Sequence, residues 1–155
     1  HFFNDKEIFF EFFKVTVEPG STALDCGSHF GMHTDMFLEL GAKNVIAFEA
    51  STEVLAKIRS KYESNPNVTV IEKALSNEPG IVKFYECNAS GASSLRRTRD
   101  LREHGGYEYE VEAIRLDDMP LIQNADYISC IKVDLEGADL LALSGGKDLI
   151  QKHKP

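Results

Sequence analysis

The chain has 155 residues, 43% of them hydrophobic and 27% charged, with a net charge of −8 at neutral pH. That length carries one domain with a sizeable core. The acidic balance argues against nonspecific binding to nucleic acid, where clustered positive charge supplies most of the affinity. No apolar run approaches the ~20 residues of a membrane span. The N-terminus is rich in Phe but is interrupted by Asn4, Asp5, Lys6 and Glu7, which is not the pattern of a secretory signal. The chain begins at His1 rather than Met and so reads as part of a longer product.

Residues 2–14 place Phe9 and Phe13, and Ile8 and Phe12, four positions apart, which predicts a helix with a broad apolar face. Its polar face lacks the Lys/Arg excess of membrane-surface helices, so a helix covering a sheet is expected. Pro19-Gly20 breaks the chain. Thr22 to Cys26 reads as a first strand, followed by a Gly-containing turn and a helix over 32–40 that stops at Gly41. Val45 to Phe48 is a short continuous apolar run, as expected for a strand covered on both faces. Ser51 is placed to cap the next helix. Val68 to Ile71 is a third strand, running into Lys73-Ala74-Leu75-Ser76.

Strand, helix, strand, helix, strand with short crossovers makes parallel pairs with right-handed connections. The pattern then changes. Ile81 to Tyr85 and Tyr107 to Leu116 read as an added antiparallel pair at one side of the sheet, with a polar stretch between them. Tyr127 to Val133 is a fourth core strand, and residues 138–150 form a last helix interrupted by Ser144-Gly145-Gly146. The expectation is a single Rossmann-like α/β domain: a doubly wound, mostly parallel sheet with helices on both faces. It divides into an N-terminal covering helix (1–20), a βαβαβ unit (21–76), the added strands and loop (77–120), and the fourth strand with its helix (121–155).

Three strands end in acids, Asp25, Glu49 and Asp134, and a parallel sheet brings all three ends to one edge. Ligands of open α/β sheets bind at that edge. Glu49 follows Asp25 by 24 positions, close to the spacing at which an acid meets ribose hydroxyls in dinucleotide folds. Gly27 and Gly31 allow backbone to approach a ligand closely. The nicotinamide fingerprint needs three glycines as GxGxxG, whereas the pattern here is Asp-x-Gly-x-x-x-Gly. An acid at the start of the loop repels a pyrophosphate and suits a ligand with a cationic end and a ribose diol. S-adenosylmethionine fits, and a P-loop is excluded by the absence of GxxxxGK[ST].

Several segments strengthen this reading. Leu24-Asp25-Cys26-Gly27-Ser28-His29-Phe30-Gly31, Val45 to Glu49, Lys73-Ala74-Leu75-Ser76, Gly91-Ala92-Ser93-Ser94-Leu95, Arg115-Leu116-Asp117-Asp118 and Ile131 to Asp139 occur in that order. Together they resemble the FkbM family of class I S-adenosylmethionine-dependent methyltransferases. The resemblance implies that Asp25 and Gly27 line the methionine end of the cofactor, that Glu49 holds its ribose, and that the Ala74 stretch lies near its adenine. Ser28, Gly31 and Ala50 complete the candidate cofactor set.

The resemblance also places Asp134 near the methyl-transfer centre, and makes the acceptor a hydroxyl on a small molecule or sugar. Ser28 and His29 stand where the family usually has Ala-Asn, and His33 where Tyr is frequent. The chain supplies about four of the family's seven core strands, so a truncated chain lacking the last strands is expected. An open edge on the fourth strand then invites pairing with a second copy.

Asp134 or Glu136 is the candidate to orient or deprotonate the acceptor; the plainer reading is a cap and a solvent residue. Ser93 and Ser94 are either loop polar groups or substrate-side donors. Arg96, Arg97, Arg99 and Arg102 are either a solvated face or a clamp for an anionic acceptor, with Arg96 the substrate candidate. His29 and His33 have a spacing that can bind zinc, but no third ligand is evident and HExxH is absent, so no metal is expected. Cys26, Cys87 and Cys130 form no CxxC pair and read as free thiols in a reducing, cytoplasmic setting. Two rivals stand beside the enzyme: a non-catalytic module that keeps the cofactor fold and, less favoured, an NAD-linked oxidoreductase.

Overall fold

A computed structural model describes residues 5–88, 93–96 and 99–155. Four strands form a parallel sheet: β1 (Thr22–Cys26), β2 (Asn44–Phe48), β3 (Val68–Ile71) and β7 (Ile128–Val133), in the order β3-β2-β1-β7. Helices α2 (Met32–Glu39) and α3 (Thr52–Tyr62) make the crossovers from β1 to β2 and from β2 to β3. The chain later returns to lay β7 on the other side of β1. The strand order therefore reverses at β1, and the crevice at a switch point of this kind takes ligands.

β1 is buried along its whole length, including Asp25. Both faces of the sheet are covered. On one face Ala23, Val45 and Cys130 pack with Met36 and Phe37 of α2 and with Phe13 of α1 (Asp5–Phe13). On the other, Leu24, Ile46, Phe48 and Ile128 pack with Leu116, Ala142 of α6 (Asp139–Ser144) and Leu149 of α7 (Lys147–His153). α1 covers the sheet only through its last turn. Phe13 is buried, whereas Ile8 and Phe12 are 54% and 61% exposed. Its first expected residues, 2–4, lie outside the described part.

α2 ends where Gly41 takes φ 92°, and the Ala42 N–H returns to the Phe37 carbonyl. That pair of features closes the last turn as the sequence predicted. The interruption at Ser144-Gly145-Gly146 likewise divides α6 from α7.

Three expectations need correction. The added strands do not join the side of the main sheet. β5 (Gly80–Cys87) and β6 (Gly106–Ile114) pair antiparallel, and β4 (Ala74–Leu75) pairs parallel with β6, giving a separate three-stranded sheet in the order β4-β6-β5. The chain leaves the main sheet at Glu72–Lys73, so Ala74 belongs to this second sheet. Ser51 does occupy the position before α3, but its hydroxyl makes no cap; it donates to Glu86 instead. Two helices also went unread: α4 (Arg99–His104) in the polar stretch and α5 (Pro120–Gln123), which begins on a proline suited to a first helical turn.

Candidate active site

The carboxyl ends of β1, β2 and β7 and the flank of the second sheet enclose a cavity of about 400 Å³. The loop after β1 is held by the end of β2: the N–H groups of Gly27 and Ser28 both donate to the Phe48 carbonyl, at 3.0 and 2.9 Å. Glu49, directly after β2, returns the connection. Its Oε2 accepts the His29 N–H at 2.8 Å and its Oε1 accepts the Ser51 N–H at 2.8 Å. The carboxylate is thus gripped by the loops on either side of it. A carboxylate oxygen can accept more than one hydrogen bond, and Glu49 lines the cavity. Burial pushes its pKa up from the ordinary 4.5, against the pull of the backbone N–H donors, with nearby Glu86 adding a smaller push upward.

Gly27 has φ 83°, and a Cβ there would run into the carbonyl oxygen of Asp134. The glycine is needed for β1 and β7 to end this close together, and the Asp134 N–H completes the join by donating to the Cys26 carbonyl at 3.0 Å. Lys132, two residues before Asp134 on β7, reaches the same place. Its Nζ donates to the Gly27 carbonyl at 2.6 Å, and lies 3.2 Å from Asp25 Oδ1 and 3.9 Å from Asp134 Oδ2. Asp25 itself is fully buried, with its Oδ2 accepting from Thr34 at 2.7 Å. It anchors Lys132 and lies behind the wall of the cavity.

Gly31 also stands off the wall. Its φ of 77° and missing Cβ make room for the Tyr62 hydroxyl, which reaches the Gly31 carbonyl at 2.8 Å and Asp35 Oδ1 at 2.6 Å. Arg96 is exposed beside Gly137 and likewise lies off the wall, while Arg97 falls outside the described residues. The remaining expected residues are brought together: Gly27, Ser28, Glu49, Ala50 and Ala74 share the wall with Ser93, Ser94, Asp134 and Glu136. Asp134 is exposed at the rim, and Glu136 follows in a left-handed conformation, φ 49°.

Sequence reasoning missed Glu86 on β5 and Lys132 on β7, both of which line the cavity. Lys132 is legible in principle, because residues two apart along an extended chain share a face and Asp134 is a site candidate by its position after the strand. Glu86 is not, because the expected strand ends at Tyr85 and is placed at one side of the sheet, away from the strand ends.

His29 and His33 also line the wall, and His33 sits edge-on against Phe9 and Phe13 at 5.2 and 5.6 Å. Burial, and then the charge of Lys132, hold both imidazoles below their ordinary pKa. Among the described residues no cluster of three or more His, Cys, Asp or Glu side chains is placed to hold a metal. Cys26, Cys87 and Cys130 are buried thiols. No described helix is long and apolar enough to cross a membrane.

The side-chain chemistry of the wall is biased toward acceptors. The four serines in it all direct their hydroxyl protons to protein oxygens: Ser28 to the Phe48 carbonyl, Ser51 and Ser93 to Glu86, and Ser94 to the carbonyls of Leu135 and Glu136. Apolar side chains, among them Phe48, Ala74, Leu75 and Phe84, add to the wall. A ligand with a vicinal diol, an exocyclic amine, cationic groups and a flat base matches this set. A phosphate-rich one does not.

A parallel sheet in this order, a glycine turn after β1 and an acid at the end of β2 define a Rossmann-like domain built for a nucleoside cofactor. Residues 25–155 match the family model of the methyltransferase FkbM domain, and the chain belongs to that family. Its cofactor is S-adenosylmethionine. The chain is 26% identical to the 2-O-methyltransferase NoeI of Sinorhizobium fredii, a match that covers 88% of this chain and 62% of that protein. The chain therefore spans under two thirds of the length of this relative.

Among solved structures it is similar to SMU.1697c of Streptococcus mutans, described as a methyltransferase and solved with S-adenosylhomocysteine. The identity is 29%, the coverage 48% of this chain and 43% of that one, and the TM-score 0.42. It is also similar to an rRNA methylase from Streptococcus thermophilus, at 20% identity, 48% and 45% coverage and a TM-score of 0.41. These superpositions are partial, and the fold assignment rests on the strand order itself.

Proposed function

We propose that the protein transfers a methyl group to a hydroxyl oxygen of a small molecule or sugar. The observation that carries the reading is the placement of Glu49. It is a buried acid at the end of β2, gripped by two backbone N–H groups and open to an acceptor-rich cavity whose other rim holds Asp134 and Glu136. Glu49 takes the ribose diol, with Ala50 and Ala74 beside the base and the backbone around Gly27 and Ser28 at the methionine end. Asp25 acts at one remove, by fixing Lys132 and through it the Gly27 carbonyl. The name of the relative, a 2-O-methyltransferase, supports a hydroxyl acceptor. The acidic net charge and the acidic rim favour a small acceptor over nucleic acid.

When bound, S-adenosylmethionine supplies an electrophilic methyl group on a positively charged sulfur. The chain's own contribution is placement and proton handling. Holding the acceptor oxygen in line with the methyl contributes roughly 7–11 kcal/mol of the barrier reduction by proximity alone. Asp134 or Glu136 accepts the hydroxyl proton as the carbon–oxygen bond forms and the carbon–sulfur bond breaks with its electron pair on sulfur. Ser93 and Ser94, with their protons committed inside the protein, brace the loop on the acceptor side.

The test is methyl transfer from labelled S-adenosylmethionine to a panel of sugars and hydroxylated small molecules. Turnover is expected, and Asp134→Asn or Glu136→Gln should lower kcat while leaving cofactor affinity within about twofold. Tight cofactor binding with no transfer to any acceptor would make the chain a binding module instead.

A further inference from the structure

The second sheet does more than flank the cavity. Glu86, the penultimate residue of β5, is only 3% exposed, yet it lines the wall next to Glu49 and Ser51. Three hydroxyl groups from three separate segments converge on it. Ser51 donates to Oε1 at 2.9 Å, Ser93 to the same oxygen at 2.6 Å, and Tyr109 of β6 to Oε2 at 2.6 Å. Two of these hydroxyls are themselves held by backbone donors: Tyr109 accepts the Thr52 N–H at 3.0 Å, and Ser93 accepts the Cys87 N–H at 3.0 Å. A carboxylate only accepts, so each hydroxyl facing it is forced to be the donor. Ser51, which accepts no backbone N–H among the described residues, then keeps the most acceptor capacity for a ligand. Ser51 also carries the N–H that fixes Glu49 Oε1, so Glu86 acts on the ribose-side acid through one intervening residue.

We propose that Glu86 is a positioning and specificity residue for the cofactor. It polarises this part of the wall into a surface of acceptors and pins the second sheet to the loop between β2 and α3. The surface reads hydrogen-bond donors of the nucleoside: its hydroxyls and its exocyclic amine. This rests on the cofactor reading given above. The role differs from that of Glu49, which offers its own oxygens. Glu86 determines which way the surrounding hydroxyls point.

The experiment is calorimetric titration of S-adenosylhomocysteine and three congeners, the 2′-deoxy, 3′-deoxy and inosine forms, into the wild type, Glu86→Gln and Tyr109→Phe. The amide of Gln introduces a donor where the hydroxyls need an acceptor, and weakens S-adenosylhomocysteine about tenfold or more, since hydrogen bonds to charged groups are among the strong ones. Tyr109→Phe removes one of the three donors, leaves the charge, and has a smaller effect in the same direction. At least one congener, lacking the donor that this wall reads, should bind the wild type more weakly and be insensitive to Glu86→Gln. A penalty equal for all four ligands would make Glu86 merely structural and overturn the proposal. Failure of the wild type to bind S-adenosylhomocysteine at all would overturn the cofactor reading with it. Circular dichroism melts of both variants establish that the titrated proteins are folded.

Discussion

Lys132 Nζ lies 2.6 Å from the carbonyl oxygen of Gly27, across the join between the ends of β7 and β1. The lysine is 10% exposed and its second partner, Asp25, is fully buried. This ties the turn after β1 to β7 by a charge-assisted hydrogen bond, and it explains why an acid at the end of β1 matters without reaching the cavity.

Removing Lys132 should be costly for the fold. Lys132→Met leaves Asp25 buried with Thr34 as its side-chain hydrogen-bond donor among the described residues, and a buried charge stripped of its partner costs about 3 kcal/mol or more. Chemical denaturation of the variant should show a loss of that order, and Asp25→Asn in the same background should restore part of it. A change below about 0.5 kcal/mol would mean the pair contributes little.

Gly27 and Gly31 should separate under substitution. Both have positive φ, so alanine strains either backbone by about 1–3 kcal/mol. At Gly27 the new methyl also meets the Asp134 carbonyl and forces the two strand ends apart, which disturbs the cavity itself. At Gly31 it meets the Tyr62 hydroxyl, off the wall. Gly27→Ala should therefore raise the S-adenosylhomocysteine Kd at least tenfold. Gly31→Ala should lower thermal stability with a much smaller change in Kd.

The pH dependence of binding should report Glu49. Its pKa is raised by burial, so as pH falls the carboxylate is neutralised earlier than an ordinary glutamate with its value of 4.5. A protonated Glu49 loses acceptor capacity for a diol, so the affinity for S-adenosylhomocysteine should begin to fall above pH 4.5, and Glu49→Gln should remove that limb. The sign for the free protein is opposite to that of a salt-bridged acid. The folded state binds this proton more tightly than the unfolded chain. Glu49 therefore makes stability fall as pH rises from about 4.5 through its raised folded value, and relieves that cost on acidification. His29 and His33, held neutral by burial, act the other way at low pH. The comparison that isolates Glu49 is accordingly wild type against Glu49→Gln.

The parts of the site written locally were legible. Acids at the ends of apolar runs, the glycine turn and the stop at Gly41 follow from short-range rules, and they located Glu49, Gly27 and Asp134. Long-range hydrogen bonds were not. Ser51 has the residue type and position of a helix cap, but a buried acceptor 35 positions away captures its hydroxyl. β4 is two residues long, too short to announce that Ala74 had changed sheets. Asp25 and Gly31 fit the ligand-loop pattern by spacing. Their side of the turn is decided by Lys132 and Tyr62, which pack against them from β7 and α3.

We infer that the cavity around Glu49 holds S-adenosylmethionine through the ribose diol. Titration of S-adenosylhomocysteine into the wild type and Glu49→Ala tests it most directly, with NAD as the competing ligand. The wild type should bind with micromolar or tighter affinity, the variant at least tenfold more weakly, and NAD should not bind. Equal affinity in the two proteins, or binding of NAD in preference, would contradict it.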